Sequence, residues 1–158
     1  MARSVIVIGR GIIGASVAYY LQRAGANVTL VGDQSDRATD GSFGWINASF
    51  HNDDTHYHIR NEGLTAYARL SETLDLPIAW RGCLCWETEG EALQHQLREL
   101  QRLGYQASAI GRGEFTVLEP NLPNPPEACL YMPQEAAAES GELADALTAV
   151  QQPVLGHR

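Results

Sequence analysis

Three glycines, Gly9, Gly11 and Gly14, stand in the spacing G-x-G-x-x-G, and that spacing has a chemistry. Placed between a strand and a helix, the first glycine turns the chain sharply. The second lets a pyrophosphate approach the backbone, and the third lets the helix pack against the strand. The start of the helix then offers unpaired N–H groups and a partial positive charge to phosphate oxygens. The other chemistry-bearing residues form no such pattern. Cys83, Cys85 and Cys129 make neither a C-x-x-C pair nor a zinc spacing. His56 and His58 lie two apart, which on a helix turns them to different sides and makes them ordinary surface histidines.

The elements needed to position the glycines are present around them. Val5-Ile6-Val7-Ile8 is a run of β-branched residues with no polar alternation, which predicts a parallel strand covered on both faces. After the glycines, Ile13, Val17, Ala18 and Leu21 recur at helical spacing, and Gly25 is placed to end that helix. Val28 to Val31 returns as a second strand. A strand, a glycine turn, a helix and a strand at this distance predict a dinucleotide-binding βαβ.

Composition narrows the classes. The chain has 158 residues, 44% of them hydrophobic and 19% charged, which suits a folded protein with a substantial core. A formal net charge of −8 argues against nucleic acid as a partner, since phosphate-backbone binding needs clustered Lys and Arg. No stretch approaches the length of a transmembrane helix and no secretory leader is visible, so the cysteines read as reduced thiols of a cytoplasmic protein. Cys83 and Cys85 would share one face of a strand, where packing explains them.

Further along, a helix is expected from Asp53, with Asp53, Asp54 or Thr55 as N-cap, Ile59, Leu64 and Ala68 on its apolar side, and Pro77 as its stop. A strand over 81–87 and an amphipathic helix over 91–103 follow, the latter with a stripe of Leu93, Leu97, Leu100 and Leu103 and a terminal Gly104. A strand over 105–110 and a short turn or helix before Pro120 complete the reading.

Between the βαβ and the first of these helices runs a loop rich in small and polar residues, Asp33 to Gly44, and then the segment Phe43-Gly44-Trp45-Ile46-Asn47. A simple NAD-binding domain would continue its sheet at this point. Phe43, Trp45 and Phe50 are costly to leave in water without a partner. The glycine fingerprint, the loop Ala38-Thr39-Asp40-Gly41-Ser42 and the stretch SFGWINASF together resemble the FAD-dependent amino-acid oxidase and dehydrogenase family, the group of D-amino-acid oxidase, glycine oxidase and sarcosine oxidase. Leu118 to Leu122, a strand over 128–132 and a helix over 140–150 also resemble the family, so the resemblance covers nearly the whole chain and is specific in about the first fifty residues.

That resemblance implies an α/β fold: a Rossmann-like FAD-binding βαβ followed by the start of a mixed α+β substrate domain, incomplete as the chain stands. Residues 1–50 would be the N-terminal part of the FAD-binding domain, and 51–158 a helical linker with partial substrate-domain and returning segments. The cofactor would be FAD and not NAD(H). Gly9, Gly11, Ile12, Ile13 and Gly14 would meet its phosphates, and Thr39, Gly41, Ser42, Phe43 and Gly44 would lie along its inner part. The family usually ends its second strand on an acidic residue that binds the adenosine ribose. Here that position is Gly32, and the acid follows at Asp33, which either takes over the ribose through a small kink or merely starts a turn. No basic residue follows the strand to favour a 2′-phosphate.

The implied reaction is oxidation of the C–N bond of a small-molecule amino acid or secondary amine, with hydride passing to the flavin and water hydrolysing the imine. In relatives the substrate-holding groups come from later sequence, so no residue here is assigned a catalytic role. Pro153 would break the last helix, and 154–158 does not read as a strand. The expectation is an N-terminal portion of a longer oxidoreductase, in which the first strand would be central and one neighbour would come from later sequence. Such a chain by itself would aggregate, be held by chaperones or pair with another chain, with weak or absent FAD retention. The alternative is a non-catalytic nucleotide-binding chain acting through a partner.

Overall fold

In the computed structural model, residues 2–33, 35, 37–150 and 154–155 are described, and they form two compact units. The first comprises residues 1–44, 69–78 and 138–158, and the second 45–68 and 79–137. The chain passes from one to the other four times, once inside helix α2 (Asp54–Ser71) and three times inside short strands, β3 (Phe43–Ile46), β4 (Ile78–Ala79) and β8 (Ala136–Glu139), which pair in the order β3-β8-β4.

The first unit contains the βαβ. Strand β1 (Ser4–Ile8) runs parallel to β2 (Asn27–Val31), in register from Ser4 opposite Asn27 to Ile8 opposite Val31. Helix α1 (Ile12–Arg23) connects them, and α5 (Ser140–Ala149) packs beside it. The end of α1 has the doubled hydrogen bonding of a Schellman motif: Gly25 N–H donates to Gln22 O and Ala26 N–H to Leu21 O. Gly25 has φ +84°, a conformation that suits glycine. Directly after Ala26, β2 begins.

Three expectations for this unit are corrected. Residues 154–155 do form a strand, β9 (Val154–Leu155), which pairs parallel with β2, so the sheet order is β1-β2-β9. β2 therefore lies between β1 and β9, and β1 has only β2 beside it among the described residues, which leaves open the edge where a neighbour from later sequence is expected. Nor is β1 covered on both faces. Val7 packs with Ala18, Val28 and Leu30, whereas Ile6 and Ile8 are 69% and 84% exposed. Helix α1 buries Ala15, Ala18 and Tyr19 and packs Leu21 against the core, so Ala18 and Leu21 of the expected stripe face inward while Ile13 and Val17 are exposed. Small residues line the buried face because the helix approaches the sheet and α5 closely, and alanine permits that approach.

The second unit is built on an antiparallel sheet, order β5-β7-β6, from β5 (Cys83–Cys85), β6 (Ser108–Gly111) and β7 (Ala128–Met132). Helix α3 (Gly90–Arg102) buries Leu93 and Leu100, as its leucine stripe predicts. Helix α4 (Arg112–Leu118) drives Phe115 into a cluster with Ile110 and Cys129, and Trp86 meets Phe115 edge-on. Helix α2 (Asp54–Ser71) is capped by Asp53, whose carboxylate accepts His56 N–H at 2.8 Å. It buries Leu64 and Leu70, but Ile59 is exposed, contrary to expectation.

Under the segment that follows β3 lies a fully buried carboxylate, Glu135. Its oxygens accept Trp45 Nε1–H at 2.9 Å, Tyr105 O–H at 2.8 Å and Ser49 N–H at 3.3 Å. Tyr105 Oη in turn accepts Ala48 N–H at 3.1 Å. Burial pushes the Tyr105 hydroxyl up, and Glu135 adds to it. Burial first, then the nearby Glu135, pushes the Cys83 thiol up to about 12. Cys83 is thus a neutral, unreactive thiol at physiological pH, in keeping with packing. Of the aromatics near this segment, Trp45 is half-buried, while Phe43 and Phe50 remain exposed.

Two outcomes follow from the packing. A Cβ at Gly14 would collide with Gly9 O, so Gly14→Ala should destabilise the first unit by about 1–3 kcal/mol, against the ~1 kcal/mol that helix propensity alone would gain. Urea unfolding followed by circular dichroism measures it, and an unchanged or higher midpoint would contradict the close strand–helix contact. Glu135→Ala strands buried donors and should cost about 3 kcal/mol, more than the ~1 kcal/mol for Trp45→Phe, which removes one donor. Equal midpoints for the two variants would show that Glu135 does not organise the segment.

Candidate functional site

The glycine turn is built from the end of β1 outward. Gly9 N–H donates to Val31 O at 2.8 Å, which ties the turn to the end of β2. Gly9 has φ +112° and nothing within 4 Å of the place its Cβ would occupy, so the chain turns here beside open space. The first intrahelical bond of α1 is Ala15 N–H to Gly11 O at 3.0 Å. The amides of Ile12, Ile13 and Gly14 therefore precede the helical ladder, as anion-binding amides at a helix start do.

One of those amides is already used. Ile12 N–H donates to Thr39 Oγ1 at 3.0 Å, across 27 residues of sequence. This contact also gives Gly11 a reason of its own. A Cβ there would come within 2.8 Å of Thr39 Oγ1, so the residue must be glycine for the loop to close on the helix. Thr39 is buried in a 3-10 turn, Ala38–Gly41, whose end is fastened by Ser42: its hydroxyl donates to Ala38 O at 2.7 Å and its N–H to Thr39 O. Gly41 faces open space, Phe43 is 87% exposed, and Gly44 sits so close to Ala138 O and Ser140 Oγ that no side chain fits.

The sequence reading did not single out the residue that braces this loop. Arg37, nearly buried, donates from Nε and Nη2 to the two oxygens of Asp40, from Nη1 to Asp145 of α5 at 2.6 Å, and from Nη1 to Arg10 O at 3.4 Å. The Arg37 hydrogen bond holds the Asp40 carboxyl below the usual carboxylate range, so the clamp keeps its charges well into acid. A basic residue inside a polar loop carries no periodic signal, which is why Arg37 is invisible without the fold.

The structure thus brings Gly9, Gly11, Ile12, Gly14 and Thr39 together, with Ile13 exposed on the first turn and Gly41, Ser42, Phe43 and Gly44 following along the loop and β3. Asp33 is exposed, and its Oδ1 accepts Ser35 N–H at 3.0 Å, the geometry of a turn. A glycine cradle at a helix start, with helical amides ahead of the ladder, open space at Gly9 and Gly41, and a buried, unpaired Arg10 Nε beside it, fits a dinucleotide phosphate. Among the described residues no group of His, Cys, Asp or Glu could hold a metal, and no helix is long and apolar enough to cross a membrane.

Comparison with known proteins agrees with this geometry. The sequence model of FAD dependent oxidoreductases matches residues 4–152. Among solved structures, iminodiacetate oxidase from Chelativorans sp. is similar with a TM-score of 0.82 at 24% identity, over 99% of this chain and 46% of that one. Glycine oxidase from Bacillus cereus is similar with a TM-score of 0.76 at 21% identity, over 94% and 43%. L-α-glycerophosphate oxidase from Mycoplasma pneumoniae, solved with FAD bound, has a TM-score of 0.75 at 19% identity, over 99% and 45%. The chain spans less than half the length of each of these proteins, and it belongs to the family of FAD-dependent oxidoreductases.

Proposed function

We propose that this chain supplies the ADP-binding half of an FAD site in an oxidoreductase acting on the C–N bond of an amino acid or secondary amine. The observation that carries the reading is the closure of the 38–42 loop onto the start of α1 through Thr39 and Ile12. It joins the glycine turn and the polar loop into one continuous cradle. In it, Gly9, Gly11, Ile12, Ile13 and Gly14 meet the phosphates, and Thr39, Gly41, Ser42, Phe43 and Gly44 run along the inner part of the cofactor. Asp33 follows the end of β2, its Oδ1 turned to Ser35 N–H. Names among the similar structures, glycine oxidase and iminodiacetate oxidase, support the substrate class. Bound FAD would supply the hydride acceptor. The residues here bind and orient it, and none of them is assigned a proton transfer. Three free cysteines support a reducing, cytoplasmic location.

A second reading, a non-catalytic nucleotide-binding chain working through another polypeptide, draws on the open side of β1. Ile6 and Ile8 present an apolar face, and the strand has a free edge among the described residues. Both readings place a further polypeptide segment against β1, since an uncovered apolar edge invites pairing.

Titration of FAD fluorescence with the purified chain tests the cradle. The wild type should quench it, and Gly11→Val should abolish binding because its side chain displaces Thr39. Thr39→Val, which keeps the shape and loses the hydroxyl, should weaken binding about tenfold, the equivalent of one hydrogen bond. Trp86→Phe should bind as the wild type does. Undiminished affinity in Gly11→Val, confirmed as folded by circular dichroism, would rule the cradle out.

A further inference from the structure

The end of the second strand of a dinucleotide-binding βαβ ordinarily carries a carboxylate that accepts hydrogen bonds from the adenosine ribose. In this chain that position is Gly32, and the following acid turns an oxygen back onto its own loop at Ser35 N–H. What lies over Gly32 is Arg10. A Cβ on Gly32 would come within 2.9 Å of Arg10 Cγ and 3.0 Å of Arg10 N, so the absence of a side chain at 32 is what makes room for the arginine. Arg10 Nε is buried without a hydrogen-bond partner, and none of the ion pairs among the described residues uses this side chain. Its backbone is held by Arg37 Nη1 on Arg10 O. A guanidinium stays charged and can only donate. Arg10 is half-buried, so a guanidinium with a donor left unmatched stands beside the phosphate cradle, ready to meet an acceptor.

We infer that Arg10 replaces the usual carboxylate as the contact for the adenosine end of the nucleotide, and that the site consequently tolerates an anionic group on that ribose. The inference rests on the reading of the β1–α1 turn as the phosphate cradle. An acidic residue at position 32 would repel a 2′-phosphate, whereas Arg10 attracts it and pairs with it in a planar, forked geometry. The ribose preference of this chain is thus set from the glycine turn, ten residues into the sequence, and not from the end of β2.

Calorimetric titration of the full chain with ADP-ribose and with 2′-phospho-ADP-ribose tests it. The wild type should bind the 2′-phosphorylated ligand at least as tightly as the plain one. Arg10→Met should lose about tenfold or more for the phosphorylated ligand, the size expected for one charge-assisted contact. Arg10→Lys should keep part of that affinity. The double variant Arg10→Ala with Gly32→Asp, in which the space of the arginine is given to a carboxylate, should bind ADP-ribose and reject its 2′-phosphate. Equal binding of both ligands by wild type and Arg10→Met, or rejection of the 2′-phosphate by the wild type, would overturn the role of Arg10 and leave the cradle standing. No binding of either ligand by the wild type would overturn the cradle itself, and this inference with it.

Discussion

The hydrogen bond from Ile12 N–H to Thr39 Oγ1 is the contact on which the candidate site depends. It spends one of the free amides at the start of α1 on the protein itself, and in return fixes a polar loop against the glycine turn. Every neighbouring feature is arranged to permit it. Gly11 carries no side chain because Thr39 occupies that space, Gly14 lets α1 lie against the turn, and Arg37 braces the loop by way of Asp40 and Asp145. Loss of the hydroxyl would leave a part-buried amide unpaired and a loop held only at its rim.

The two units place their polar cost differently. In the first, charges sit at the rim of the turn and loop, where Arg37 is satisfied and Arg10 Nε is not. In the second, the charge is central: Glu135 is wholly buried and met by neutral donors from Trp45, Ser49 and Tyr105. Burying a carboxylate without a cation is expensive, and it persists only when its lone pairs are filled. The segment from Trp45 to Ser49 is consequently shaped from beneath by one side chain that lies ninety residues away from Trp45.

Much of this was legible in the sequence. The β1–α1–β2 unit and the leucine face of α3 announce themselves by period and by capping glycine, while the strand over 128–132 and the helix from Ser140 were legible through the family resemblance. What was hidden has physical reasons. β8, Ala136–Glu139, contains no β-branched residue, and its strand form comes from pairing with β3 and β4. On α1, Ala18 and Leu21 read correctly, but Ile13 and Val17 outrank Ala15 in hydropathy while close packing selects the alanine. Arg10, Arg37 and Glu135 are single polar residues whose meaning lies in long-range contacts, and no spacing marks them. The glycine at 32 was visible as a departure, but what fills its place was not.

Amide hydrogen exchange with and without FAD tests the central claim most directly, since it reads each segment separately. The account predicts slower exchange in residues 9–14 and 38–44 when FAD is added, with α3 in the second unit unchanged. Slowing confined to another segment, such as 49–52 with 95–100 along the Ser49–Leu100 groove, or no slowing at saturating FAD, would contradict the assignment of the cradle.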